Sequence, residues 1–240
     1  ERTCIRCTLA GKRPPQLWRY TGSVANATRH VDAFIAPSHF ARQSHLANGF
    51  PAPIRYLPHF LPAQEIDPSL DTQGISPQQR PYFLFVGRLE KIKGVQVLLE
   101  QFRTYNAADL LIAGTGIYAA ELHQMAAGLE HIHWLGRVDR AQLQQLYRGA
   151  IAVIVPSLCY ETFGLVVLEA FAVGTPAIVQ AGGGLVYQTD RELLDAMESL
   201  RTQADWRNQL GEQAYQIFQQ SYTEEQHLTE YYKLIQELER

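Results

Sequence analysis

Cysteine is scarce in this sequence: 3 among 240 residues, an odd number and too few for a disulfide framework. A reducing compartment fits that count. An excess of one charge is also lacking. Lys and Arg number 21 against 24 Asp and Glu, for a formal net charge of −3. The basic residues are scattered rather than gathered into a stripe, so nucleic acid is not an expected partner. No apolar run approaches the roughly 20 residues of a membrane-spanning helix, and the longest, around Leu165 to Val173, is interrupted by Glu169. Glu1 to Arg13 is polar and basic with no apolar h-region, so no secretory signal is expected and the cytoplasm is the expected compartment. There is no internal repeat and no low-complexity tract. What is present is a 46% hydrophobic chain, enough to bury a core in one large domain, or in one domain plus part of another.

Short runs rich in β-branched and aromatic residues predict strands at Val31 to Ala36, Ile54 to Leu57, Tyr82 to Val86, Asp109 to Ala113, Ile151 to Val155 and Ala177 to Gln180. Helical spacing falls between them, at Val95 to Tyr105, Tyr118 to Ala127, Arg140 to Arg148 and Leu165 to Val173. Alternation of this kind predicts an α/β fold, a parallel sheet with crossover helices on both faces. Ser38 reads as the N-cap of a helix ending at Asn48. After Asp190 the chain reads as helical to its end, with Asp190 and Thr223 as N-caps. Pro62, Pro68, Gly74 and Pro77 break the pattern between Pro58 and Pro81, and a linker is expected there. The division expected is 1–60, an incomplete piece of one domain; 61–80, the linker; 81–222, the main domain; and 223–240, a terminal helix packing back toward the first piece.

Two stretches carry the chemistry. Gly87-Arg88 through Lys93-Gly94 leaves a predicted strand and enters a helix, at the carboxyl edge where parallel sheets bind ligands. Gly87 lets a ligand approach the backbone, and Arg88 and Lys93 bring cations that suit a diphosphate. The plainer reading is a tight turn with two solvated charges. The second stretch, Val155 through Phe171, contains Glu161-Thr162-Phe163-Gly164-Leu165-Val166 and then Glu169. At helical spacing Glu169 has Leu165, Val166, Ala172 and Val173 as neighbours, so no local cation pairs with it. Ligand hydroxyls or a distant structural salt bridge would satisfy it. The first-turn amides of Phe163 to Val166 make an anion site, for a ligand or for Glu161 as a cap.

Glu161 and Glu169, spaced around Thr162-Phe163-Gly164, together with the Gly-Arg and Lys-Gly turn, resemble the donor half of retaining glycosyltransferases of family 4 (glycosyl transferases group 1). The resemblance runs from about Val31 to the end of the chain. It implies a Rossmann-like parallel sheet with helices on both faces, the C-terminal domain of a GT-B fold, plus a remnant of the N-terminal domain at 1–60. It further implies that Arg88, Lys93 and Glu161 are catalytic. By the same resemblance Arg88 and Lys93 hold the donor diphosphate, Glu161 meets the transferred sugar and Glu169 the ribose. Donor binding would extend to Gly87, Gly114, Gly116, Arg137, Val138, Phe163, Gly164, Leu165 and Val166, with the base against the Gly136-Arg137-Val138 backbone. The implied substrates are a UDP- or GDP-sugar and a glycan, lipid or small-molecule acceptor, with no cofactor and no metal. Peripheral association with a membrane is left open.

Two departures accompany it. Most of an amino-terminal acceptor-binding domain is not in the sequence. After Ala177-Ile178-Val179-Gln180, Ala181-Gly182-Gly183-Gly184 runs straight into Leu185, about a dozen residues short of the family's glycine-rich loop. A catalytically incomplete donor-binding module and a nucleotide-sugar epimerase of the same fold are the alternatives. Cys4 and Cys7 form one C-x2-C pair without a second, which suits an ordinary loop better than zinc. His59 reads by default as a surface or core histidine, with a position facing the cleft as the alternative. Gln142, Gln144 and Gln145 read as a solvated helix face.

Overall fold

The computed structural model describes residues 21–62, 80–180 and 183–239, with Leu9 and Pro14 besides. Cys4, Cys7, most of the expected linker and the Ala181-Gly182 step lie outside the described residues. The chain divides into two compact units, Glu1–Leu57 with Glu230–Arg240, and Pro58–Thr229.

In the first unit helix α1 (Ser23–Ala27) and one 3-10 turn (Thr28–His30) precede strand β1 (Phe34–Ala36), helix α2 (His39–Ala47) and strand β2 (Ile54–Tyr56). The strands pair in parallel, Phe34 opposite Ile54 and Ala36 opposite Tyr56, with α2 as the crossover. As expected, Ser38 caps α2, its hydroxyl accepting from the Ala41 amide at 3.0 Å. The strand expected from Val31 begins only at Phe34. Val31 instead closes the 3-10 turn, its amide donating to the Thr28 carbonyl at 3.3 Å.

In the second unit β3 (Tyr82–Val86), β4 (Asp109–Ala113), β5 (Ile132–Gly136), β6 (Val153–Val155), β7 (Ala177–Val179) and β8 (Leu185–Val186) form one parallel sheet, in the order β5-β4-β3-β6-β7-β8. The helices are α3 (Val95–Phe102), α4 (Ala119–Met125), α5 (Arg140–Gly149), α6 (Leu165–Ala172), α7 (Asp190–Thr202), α8 (Ala204–Ser221) and α9 (Glu224–Leu238), the last continuing into the first unit from Glu230. Side chains alternate across β3. Phe83 and Phe85 enter a core with Leu98, Phe102, Leu122 and Met197, from α3, α4 and α7. Tyr82 and Leu84 enter another with Leu146, Tyr147 and Ala170, from α5 and α6. Helices therefore cover both faces, and a central strand buried on both sides reads as an unbroken apolar run.

Two expectations need correction. β5 was not among the expected strands. Its sequence, Ile-His-Trp-Leu-Gly, alternates weakly because β5 is an edge strand and four of its five residues are only partly buried. The cap of α7 is Thr189, not Asp190: the Thr189 hydroxyl accepts from the Glu192 amide, and the Glu192 carboxylate reaches back to the Thr189 amide. Asp190 occupies the first helical position. Thr223 is placed as a cap, accepting from the Gln226 amide at 3.3 Å.

The winding of the sheet decides where a ligand can sit. From β3 the chain moves outward through β4 and β5, then returns so that β6 lies on the other side of β3 and continues to β7 and β8. The direction reverses between β3 and β6, so the loops leaving their carboxyl ends part and open a crevice.

Candidate functional site

The two loops at that reversal are stitched together. The loop leaving β3 runs from Gly87 through a 3-10 turn at Lys91–Lys93 to Gly94, which starts α3 in the left-handed region at φ 76°. A Cβ on Gly94 would stand 1.8 Å from the Pro156 carbonyl oxygen in the loop leaving β6, so only glycine permits this approach. Two residues on, the Leu158 amide donates to the Ile92 carbonyl at 2.9 Å. These contacts hold the expected catalytic groups side by side. Lys93 Nζ donates to Glu161 Oε1 at 2.5 Å, and Ser157 Oγ donates to the same oxygen at 2.7 Å. Burial pushes the Glu161 carboxyl up, but the hydrogen bonds from Lys93 and Ser157, with the Lys93 and Arg88 charges, outweigh it and hold it below the ordinary glutamate value. Arg88 is 70% exposed and pairs with Glu90 at 2.6 Å.

Helix α6 starts at the floor of this crevice. Gly164 is its N-cap, at φ 89° and with no side-chain cap hydrogen bond. Glu161 is therefore not the cap of α6; its carboxylate is turned to Lys93 and Ser157 instead. The crevice encloses about 300 Å³, lined by Gly87, Arg88, Lys93, Ser157, Glu161, the Phe163 to Val166 turn and His59. The His59 ring stands edge-on to Phe163, with centroids 5.0 Å apart. A lysine, an arginine, a carboxylate and the positive end of a helix thus converge on one cleft.

Glu169, one turn further along α6, lines a second cleft of about 260 Å³ with Val138, Arg140, Leu143, Gln144 and Tyr147. No cation at helical spacing meets it, as expected, but a partner comes from α5: Tyr147 Oη donates to Glu169 Oε2 at 2.5 Å. Burial first, and then the negative charge and hydrogen bond of Glu169, push the Tyr147 phenol well above its ordinary range. The Gln142 to Gln145 face is not uniformly solvated. Gln144 is buried against this second cleft while Gln142 is exposed.

Most expected site residues therefore fall into two neighbouring clefts joined by α6. Arg137 is exposed and lines neither of them. Gly114 and Gly116 also line neither. They pack backbone on backbone: a Cβ on Gly114 would lie 1.8 Å from the Gly87 oxygen, and one on Gly116 would lie 2.2 Å from the Leu89 oxygen. Their place is behind the β3 loop, where they shape it. Sequence reasoning missed roles for Tyr147, Ser157 and Gln144. Tyr147 lies 22 positions from Glu169, beyond any local periodicity, and only the need of a carboxylate among apolar neighbours for a donor hinted at it. Among the described residues no three His, Cys, Asp or Glu side chains converge as metal ligands would, and no helix is long and apolar enough to cross a membrane.

Known proteins carry the same pattern. The family model for glycosyl transferases group 1 matches residues 68–192, more than half of the chain. An uncharacterized glycosyltransferase, MJ1607 of Methanocaldococcus jannaschii, is 40% identical over 109 residues, which are 43% of this chain and 28% of that protein. The phosphatidyl-myo-inositol mannosyltransferase of Mycobacterium leprae is 36% identical over 122 residues, 46% of this chain and 32% of that protein. Among solved structures, sucrose-phosphate synthase from Thermosynechococcus elongatus superposes with a TM-score of 0.75 at 25% identity, over 87% of this chain and 58% of that one. Anabaena Alr3699/HepE, solved in complex with UDP, superposes with a TM-score of 0.80 at 19% identity, over 89% of this chain and 66% of that one. The matched stretch spans about three-tenths of the length of these curated relatives. The fold is that of GT-B glycosyltransferases, a parallel sheet with helices on both faces. By its family match, and by the glutamates and basic turn gathered at the β3 and β6 ends, this chain belongs to the glycosyl transferases group 1 family.

Proposed function

We propose that the chain supplies the donor site of a retaining, family 4 glycosyltransferase that moves a sugar from a nucleoside-diphosphate sugar to an alcohol acceptor, a glycan or a lipid-linked one. The observation that carries this reading is the convergence of Lys93, Arg88, Glu161 and the uncapped start of α6 on one crevice at the reversal of the sheet. The diphosphate would meet the α6 amides, Lys93 and Arg88, where charge developing on the leaving group is stabilised by groups already in position. Those two cations do the work a metal does elsewhere, so no metal is required. Glu161, held by Lys93 and Ser157, would receive hydroxyls of the transferred sugar. Glu169 and the Val138 backbone would take the ribose and base in the second cleft. Relatives named as mannosyltransferase and glycogen synthase, and a neighbour solved with UDP-glucose, support the donor class. Residues 1–60 are read as the end of an incomplete amino-terminal Rossmann-like domain, 223–240 as a C-terminal helix packing back toward it, and the cytoplasm as the compartment.

The test is sugar transfer from UDP- and GDP-sugars, with release of the diphosphate as readout. Lys93→Ala should lower turnover about 100-fold or more while leaving the circular dichroism spectrum unchanged. Native rates in that variant would refute the assignment.

A further inference from the structure

We infer that Tyr147 is the positioning residue that sets the preference of this site for a ribose over a deoxyribose. The inference rests on the reading of Glu169 as the ribose contact and adds what makes that contact selective.

Three observations carry it. Tyr147 is 2% exposed, its ring packed among Tyr82, Leu84 and Leu146 under the sheet, so its hydroxyl has one fixed direction. That hydroxyl donates to Glu169 Oε2 at 2.5 Å, the short range of a charge-assisted bond. The backbone carrying Tyr147 is itself anchored: Thr175 Oγ1 donates to the Tyr147 carbonyl at 2.7 Å, and Tyr82 Oη donates to the Leu146 carbonyl at 2.9 Å, both buried. A glutamate side chain has three rotatable bonds and would otherwise lose several rotamers on binding a diol. Here one carboxylate oxygen is pinned before the ligand arrives, by a donor whose own position two further hydrogen bonds fix. The ordering cost is met in folding, and a cis-diol meets a carboxylate already turned to the cleft.

The chemistry fixes the direction of the effect. A phenol pushed well above its ordinary range by burial and by the neighbouring carboxylate stays protonated through the working pH range, so Tyr147 acts as a donor throughout. It lines the second cleft with Glu169 and not the crevice that holds Lys93 and Arg88. Its removal should therefore move the ribose preference.

The experiment measures, by calorimetry on the full chain, the affinities of UDP and GDP against their 2′-deoxy and 3′-deoxy counterparts, for the native protein, Tyr147→Phe and Glu169→Gln. The ratio of ribose to deoxyribose affinity is read within each protein, so any general loss of stability cancels. In Tyr147→Phe the ratio should fall roughly three- to tenfold, the scale of one hydrogen bond, with the deoxy affinities unchanged. A native ratio in Tyr147→Phe, with the ratio lost in Glu169→Gln, overturns the role of Tyr147 and leaves the ribose reading standing. A native ratio in both variants overturns the ribose reading itself. Should Tyr147→Phe fail to fold, 3-fluorotyrosine at position 147 keeps the shape and donates more strongly: its ratio should equal or exceed the native one, and a fall refutes the inference.

Discussion

At the scale of single residues, the site is held by backbone contacts that tolerate no side chain and by the Lys93–Glu161 ion pair. Gly114 shows the first. At φ 150° its missing Cβ leaves room for the Gly87 oxygen 1.8 Å from where that carbon would be, so Gly114→Ala must displace the β3 loop. The expected cost is roughly 3 kcal/mol or more, read as a fall in melting temperature. Gly128, at φ 82° with nothing within 4 Å, is the control, because alanine there meets backbone strain alone and should cost about 1 to 2 kcal/mol. Equal losses at the two positions would remove the close approach as the cause. The Lys93–Glu161 pair shows the second. Its carboxyl lies below the ordinary 4.5 in the folded state, so its contribution is complete above that value and is lost as pH falls through the lower folded-state one. Glu161→Gln should thus destabilise at pH 7 by about 1 kcal/mol, both side chains being under a third exposed. The gap from native should narrow from about pH 5 downward; a gap unchanged at pH 3 would mean that the pairing is not what stabilises.

At the scale of elements, boundaries were legible where the deciding partner is local and hidden where it is not. β3 and β4 appear at the expected residues because both faces of a central strand are apolar, which leaves a continuous run in the sequence. α5 and α6 match within a residue because periodicity and a following break mark them. β5 escaped because an edge strand need not be apolar on both faces, and β8 because two residues carry no pattern. Of the site, the Gly87 to Gly94 turn and the spaced glutamates were readable as types of residue at strand ends. The bonds that organise them were not, because Lys93 and Glu161 are 68 positions apart and Tyr147 and Glu169 belong to different helices. The cap of α7 is a local feature that was nonetheless misassigned, since Thr189 and Asp190 both suit the role by type. Geometry separates them. Thr189→Ala breaks the capping box and should cost about 1 kcal/mol, whereas Asp190→Ala loses only a helix-dipole interaction, roughly 0.3 to 1 kcal/mol. Thermal denaturation of the pair checks it, and a larger loss at Asp190 would restore the sequence-based assignment.

At the scale of the molecule, the carboxyl and amino edges of the six-stranded sheet are different surfaces. The carboxyl edge presents the reversal between β3 and β6, with Lys93, Glu161 and the start of α6. At the amino edge a cleft of about 470 Å³ is lined by Pro81, Ile151, Thr175, Pro176 and the arginines Arg148, Arg201 and Arg207. Charge alone would favour the amino edge for a diphosphate, since three arginines line it. Yet Arg201 is bound through two nitrogens to Glu198, and Arg207 donates to the Leu200 carbonyl, so both are engaged in holding α7 and α8. The carboxyl edge adds an uncapped helix start and loops shaped by glycine, features that suit an anion better than a basic surface alone does, and the proposed donor site is placed there. Hydrogen exchange can separate the edges in one experiment. With UDP or GDP at 100 times its dissociation constant, a single site stabilises the fold by about 2.7 kcal/mol, and protection should rise most at the amides of 87–94 and 157–166. The amides at 148–151 and 173–175 should change only as far as global unfolding is suppressed. Protection concentrated at that amino edge would transfer the nucleotide site to the arginine cleft and overturn the assignment of Lys93 and Glu161.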